Sequence, residues 1–196
     1  MARESTFKTT FLSAIFAVVG AMTAEAADLT VGANIGNVPW EFQDAGGKVV
    51  GFEVDLVNEV AKRLGKTVEF VNTPFNGLFS AVQSGRINIA ISSITITDKR
   101  LQSVTFAQPY YDSDQSLTVT AASGIAGLKG MEGKTVGVDT GSTGDMWVES
   151  QKDSLKLGEI RRFEGLSPCS IWLRGGWTAI SAIFRRCCTT SRTSLT

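Results

Sequence analysis

Between residues 27 and 168 the apolar positions change period repeatedly, from two to about 3.6 and back, as strands alternating with helices do. Leu29 to Ala33 is a short strand. The turn Asp44-Ala45-Gly46-Gly47 precedes a helix whose Val54, Val57, Val60, Ala61 and Leu64 share a face, with Lys62 and Arg63 in its last turn and Gly65 as its stop. Thr67 to Val71 is the next strand. Pro74 leads into a helix from Asn76 to Ser84, stopped by Gly85, and Ile87 to Ile91 is a third strand. This β-α-β-α-β order predicts an α/β fold with a parallel sheet and right-handed crossovers. A short helix over Asp98 to Gln102 and an extended Gln115 to Ala121 follow. Ala122-Ser123-Gly124 reads as a hinge into a second lobe, with a strand at Thr135 to Val138, a helix from Gly144 to Gln151 and a strand at Glu159 to Phe163.

The flanks differ from this body. Arg3 and Lys8 precede an apolar stretch from Phe11 to Ala24 and the small-x-small triplet Ala24-Glu25-Ala26. Residues 1–26 therefore read as a cleaved signal peptide, which places the chain in the periplasm. The apolar run is shorter than the roughly 20 residues of a membrane-spanning helix. Residues 27–168 contain no cysteine, so the body is held by its core and not by disulfides. Residues 169–196 hold all three cysteines and no Asp, Glu or Lys. That segment reads as an aberrant, disordered tail, in which Cys187 and Cys188 would be aggregation-prone thiols.

Charge and composition exclude several functions. The 19 basic and 19 acidic residues leave no surplus for a phosphate backbone, so nucleic acid is not an expected partner. With no histidine, His-based triads, His-containing zinc sites and haem–His ligation are ruled out, and no metal or cofactor is implied. Gly133-Lys134-Thr135 is not the end of a phosphate-binding loop, because Leu128 replaces the motif's first glycine and a strand follows.

Ligands of open parallel sheets bind where strands end and helices begin. Three such ends carry candidates: Asn34, Asn37 and Trp40; then Phe75; then Ser92, Ser93, Thr95 and Arg100. Thr97 is placed to cap the helix bearing Arg100. A guanidinium in a first helical turn is electrostatically out of place. An anion would resolve that conflict, and so would pairing with Asp98; spacing leaves both open. Trp40 and Phe75 either wall a pocket or fill the core. From the second lobe, Asp139, Ser142 and Thr143 lie in a strand-to-helix turn that would meet a ligand from the opposite side.

Five ordered pieces carry a resemblance: Val38-Pro39-Trp40-Glu41-Phe42, Gly51-Phe52-Glu53-Val54-Asp55-Leu56, residues 91–100, Phe106-Ala107-Gln108-Pro109-Tyr110-Tyr111 and Gly133-Lys134-Thr135-Val136-Gly137-Val138. From about Leu29 to Pro168 the chain resembles the periplasmic solute-binding proteins of polar amino-acid ABC transporters. The resemblance implies a periplasmic-binding-protein-like two-lobe fold with parallel-rich sheets, lobe one over 27–120 and a partial, incomplete lobe two over 121–168. It implies a monomer that closes on one amino acid and presents it to an inner-membrane ABC permease. It further implies that Arg100 clamps the ligand carboxylate, Ser93 and Thr95 bond its backbone groups, Phe75 stacks on its side chain, and Thr143 adds a carboxylate contact. Asn34 stands where basic-amino-acid binders usually carry aspartate, which argues for a polar uncharged ligand.

The family pattern requires a further acid for the ligand ammonium, and more strands and helices, after Pro168. A frame shift near Pro168 accounts for their loss, since a neighbouring frame can read MLDLAAGRMDGYISDIPALLYY. With the tail as it stands, binding would be impaired. The competing reading is an exported prephenate/arogenate dehydratase-like enzyme on the same fold, for which Glu41 and Asp139 are the candidate general acids or bases.

Overall fold

The computed structural model describes residues 26–120, 123–164, 179–182 and 192–194. In chain order, β1 (Leu29–Ala33) leads to a hairpin of β2 (Phe42–Gln43) and β3 (Val49–Val50), helix α1 (Phe52–Arg63), β4 (Val68–Asn72), α2 (Phe75–Gln83), β5 (Ile89–Ala90) and the short α3 (Asp98–Leu101). There follow β6 (Ser116–Val119), a 3-10 turn over Leu128–Met131, β7 (Thr135–Asp139), α4 (Thr143–Gln151), β8 (Glu159–Phe163), β9 (Ala179–Ala182) and β10 (Arg192–Ser194).

The first sheet has the order β4-β1-β5, all parallel, as the alternating pattern predicts. Its central strand is covered on both faces. Val31 and Ala33 pack with Val57 of α1, while Leu78 and Ala81 of α2 pack with Ile87 on the other side. Gly32 lies between them: a Cβ there would stand 2.4 Å from Ile87 Cδ1 and 3.1 Å from Leu78 Cδ2, so the bare backbone lets α2's layer settle on the strand. Burying each such Val or Leu side chain contributes roughly 1.5–3 kcal/mol. Helices α1 and α2 end where the glycines require, Gly65 at φ 65° and Gly85 at φ 73°.

The second sheet has the order β10-β6-β9-β7-β8, with β7 parallel to β8 and β9, and β6 antiparallel to β9 and β10. Leu117, Val119, Met131, Val136, Val138 and Val148 form its core.

Three expectations change here. Strand β6, within the 27–120 span expected for the first lobe, pairs in the second sheet with β9 and β10. The tail does not lack order throughout: residues 179–182 and 192–194 pair on either side of β6, since an unfilled sheet edge accepts any extended segment by backbone bonding alone. The remaining tail residues, its three cysteines and residues 1–25 of the 1–26 signal segment lie outside the described residues. The third strand is also shorter than the expected 87–91, keeping only Ile89 and Ala90.

Candidate ligand-binding site

The site forms where β1, β5 and β7 run out at their C-terminal ends. The pairing of Val31 with Ile89 and of Gly32 with Ala90, continued past the strands, sets Asn34 beside Ser92. The Asn34 backbone N–H donates to Ser92 Oγ at 3.3 Å. Asn34 Nδ2 crosses to the second lobe and donates to Asp139 Oδ2 at 3.0 Å. Burial pushes the Asp139 carboxyl up to about 7; the nearby Thr140 backbone N–H, itself donated to the Phe163 carbonyl at 2.9 Å, works against the rise, and Asp145 and Glu164 add negative field.

Arg100 is 7 % exposed and enters none of the ion pairs among the described residues. Thr97 caps its helix, its Oγ1 accepting from the Arg100 backbone N–H at 3.3 Å. The guanidinium donates from Nη1 to the Thr95 carbonyl at 2.8 Å and from Nη2 to the Gly141 carbonyl at 3.1 Å. It lies 5.4 Å from the Phe75 ring centre and 5.0 Å from that of Phe79. The pairing with Asp98 that spacing left open is absent. Neutral carbonyls and ring faces hold the cation instead, and burial lowers its affinity for the proton. Thr95 Oγ1 and Thr143 Oγ1 meet across the cleft at 3.2 Å, and Gln115 Nε2 donates to Thr143 Oγ1 at 2.7 Å. Ser142 caps α4 by accepting from the Asp145 N–H at 3.1 Å, so its hydroxyl serves the helix.

Beneath this cleft lie two buried carboxyl groups, Glu41 and Glu53, each with 0 % exposure. Glu41 Oε1 accepts from Ser92 Oγ at 2.6 Å and from Asn37 Nδ2 at 3.2 Å. Glu53 Oε1 accepts from the Ser93 N–H at 2.8 Å, Ser93 Oγ at 3.0 Å and Tyr110 OH at 2.5 Å. Burial and the neighbouring Glu53 push the Glu41 carboxyl far above the usual range, so at neutral pH it is a proton-bearing acid beside its partner. Glu53 takes both the N–H and the hydroxyl of Ser93, which stands at φ 48°, a left-handed conformation for a non-glycine residue. The same carboxylate field and burial raise the Tyr110 phenol.

Comparison with known proteins bears on what such a cleft belongs to. The profile of the bacterial extracellular solute-binding proteins, family 3, matches residues 29–193. The chain belongs to that family. A probable histidine-binding protein of Neisseria gonorrhoeae is 38% identical over 143 residues, 69% of this chain and 51% of that protein. An ancestral arginine-binding protein bound to arginine superposes with a TM-score of 0.72 at 33% identity, covering 79% of this chain and 69% of the other. The ancestral amino acid-binding protein AncCDT-1, a precursor of cyclohexadienyl dehydratase, gives 0.72 at 29% identity, with the same two coverages. The chain spans about half the length of the curated relatives it matches, 51%, 44% and 52% for three of them.

Within this family 3 chain, the candidate residues separate by position. Asn34, Phe75, Thr95, Arg100, Asp139 and Thr143 come together at the cleft. Asn37, Ser92 and Ser93 lie one layer below, engaged with Glu41 and Glu53. Trp40 does not join them. It is 8 % exposed and its ring packs edge-on against Phe52 at 5.5 Å and Tyr111 at 4.7 Å, which is the core alternative for that residue. Glu41, a candidate acid or base, is sealed from the cleft by the same burial. Sequence reasoning missed Glu53, Tyr110, Gln115 and the Asn76–Glu164 bond of 2.9 Å between the lobes. A signal for Glu53 was present: with Val57 and Ala61 it repeats every fourth residue along the buried stripe of α1, where an acid is out of place without partners.

Proposed function

We propose that this chain captures an α-amino acid between its two lobes and, as a monomer in the periplasm, presents it to an inner-membrane ABC permease. The observation that carries the reading is Arg100: a buried guanidinium, in no ion pair among the described residues, seated on carbonyls from both lobes. A planar fork held this way suits a carboxylate, which it can bond through two oxygens. Thr95 and Thr143 stand beside it as hydroxyl donors from opposite lobes, so a bound carboxylate would favour the closed arrangement. The names of the relatives, binding proteins for amino acids, support the same class. A thermal-shift screen of the purified chain against the twenty amino acids tests it. At least one should raise the unfolding midpoint in proportion to the logarithm of its concentration, and twenty flat responses would remove the reading.

One observation favours a second reading, an exported dehydratase-like enzyme. Asp139 titrates near neutrality in the cleft, as a general acid or base must. Formation of product from prephenate or arogenate, abolished by Asp139→Asn, would establish it.

A further inference from the structure

Two cleft side chains of opposite charge stand without a charged partner among the described residues, Arg100 and Asp139. Asp139 takes the Asn34 amide on Oδ2, but its Oδ1 and the Asn34 Oδ1 are both enclosed with no hydrogen-bond partner among those residues. Asn34 is only 7 % exposed. Enclosed acceptors, one of them on a carboxylate, are costly until a donor reaches them, and an ammonium group offers three.

Among the described residues, the carboxylates that Asp139 senses and those beneath the cleft are otherwise engaged or face solvent. Asp145 is held by Arg162 at 2.8 Å. Glu164 is exposed and accepts from Asn76 at the rim. Glu41 and Glu53 are closed in beneath Ser92 and Ser93. After Glu164 the sequence contains no Asp or Glu, so residues 165–196 bring no further acidic side chain to the site.

Resting on the amino-acid reading above, we propose that Asp139, seconded by Asn34, receives the ligand's α-ammonium, so that this chain selects amino acids with uncharged side chains. A zwitterion placed between Arg100 and Asp139 leaves no charge unpaired. Lysine or arginine would bring a second cation into the cleft with no counter-ion, which desolvation penalises. The two charges stand at one turn of the second lobe. Arg100 rests on the Gly141 carbonyl, two residues from Asp139, at most about 7 Å of chain. This sets the chain apart from relatives whose names specify arginine or lysine.

The test is calorimetric titration of the purified chain with glutamine, asparagine, serine, threonine, lysine and arginine, and with 4-carbamoylbutanoate, which is glutamine without its ammonium. The tightest ligand should be one of the four neutral amino acids. Asp139→Asn should weaken it by about thirtyfold or more while leaving 4-carbamoylbutanoate unchanged. The double variant Asn34→Asp with Asp139→Asn, which moves the carboxylate across the same hydrogen bond, should recover most of the affinity; its thermal midpoint checks folding. Tightest binding of lysine or arginine, with Asp139→Asn weakening only those two, would overturn the proposal by assigning Asp139 to a side-chain cation. An unchanged affinity in Asp139→Asn would overturn it and leave the amino-acid reading standing. Failure of every amino acid to bind would remove both.

Discussion

Asn34 and Asp139 are 105 residues apart in the chain and joined by a 3.0 Å hydrogen bond. Among the described residues it is joined by Thr95–Thr143, Gln115–Thr143, Arg100–Gly141 and Asn76–Glu164 as side-chain bonds that tie the two lobes together, and each of these lies in or beside the cleft. Closure and ligand contact therefore draw on the same atoms. Each bond contributes a net of about 1 kcal/mol, so a ligand that takes over these atoms favours the closed arrangement only by returning more than it displaces.

Asp139 makes ligand affinity depend on pH. Its carboxyl titrates at about 7, faced by Asn34, Asp145, Glu164 and the Thr140 backbone, with Arg162 neutralising Asp145 and Arg100 two residues away on Gly141. An ammonium requires the ionised form. Affinity should be level above about pH 7 and fall about tenfold per unit below it, with close to one proton released on binding at pH 6. Calorimetry in buffers of different ionisation heat measures both, and Asp139→Asn should abolish the slope.

The Glu41–Glu53 pair gives folding stability a pH dependence of its own. The folded-state Glu41 carboxyl holds its proton more tightly than the unfolded one, whose ordinary value is 4.5. The native state then binds more protons than the unfolded state above that value, and stability declines as pH rises. Chemical denaturation between pH 5 and 9 should show this decline, and Glu41→Gln should flatten it, since the amide keeps an acceptor for Ser92 and a donor toward Glu53. Glu41→Ala should cost about 2–4 kcal/mol at any of these pH values, because it leaves Ser92, Asn37 and Glu53 without that partner and opens a cavity.

Gly51 fixes the approach of the β2–β3 hairpin to α1. It sits at φ 132°, and a Cβ there would meet the Trp40 carbonyl oxygen at 2.2 Å. The carbonyls of Pro39 and Trp40 in turn accept from the N–H groups of Phe52 and Glu53, both at 3.0 Å, which satisfies the first turn of α1. Gly51→Ala should destabilise the chain by about 2–4 kcal/mol, through an unfavourable backbone conformation and a contact with backbone that cannot give way. Thermal denaturation checks it, with Gly46→Ala, where the nearest atom is a side-chain oxygen at 3.3 Å, as the mild comparison.

What was legible in the sequence was local. The strand at β1, the glycine stops of α1 and α2 and the Thr97 cap each depend on neighbours within a few residues, and the parallel sheet follows from their alternation. The two-residue strands β2 and β3 have no run long enough to show period two. The resolution of the Arg100 conflict depends on a carbonyl at Gly141 that no local pattern announces. Asn34 by itself is a neutral amide that argues against a cation; only the fold shows that it meets an acid, Asp139. Glu53 was visible as an acid in a first helical turn, where it is electrostatically welcome, and that ordinary explanation hid its burial.

The Arg100 guanidinium is placed to grip a ligand carboxylate. Calorimetric titration of Arg100→Met, which keeps most of the packing against Phe75 and Phe79 but removes the charge, measures it directly against the tightest amino acid from the screen. A loss of about a hundredfold or more, with a thermal midpoint close to that of the unaltered chain, is the predicted result. An unchanged dissociation constant in the folded variant would contradict the account.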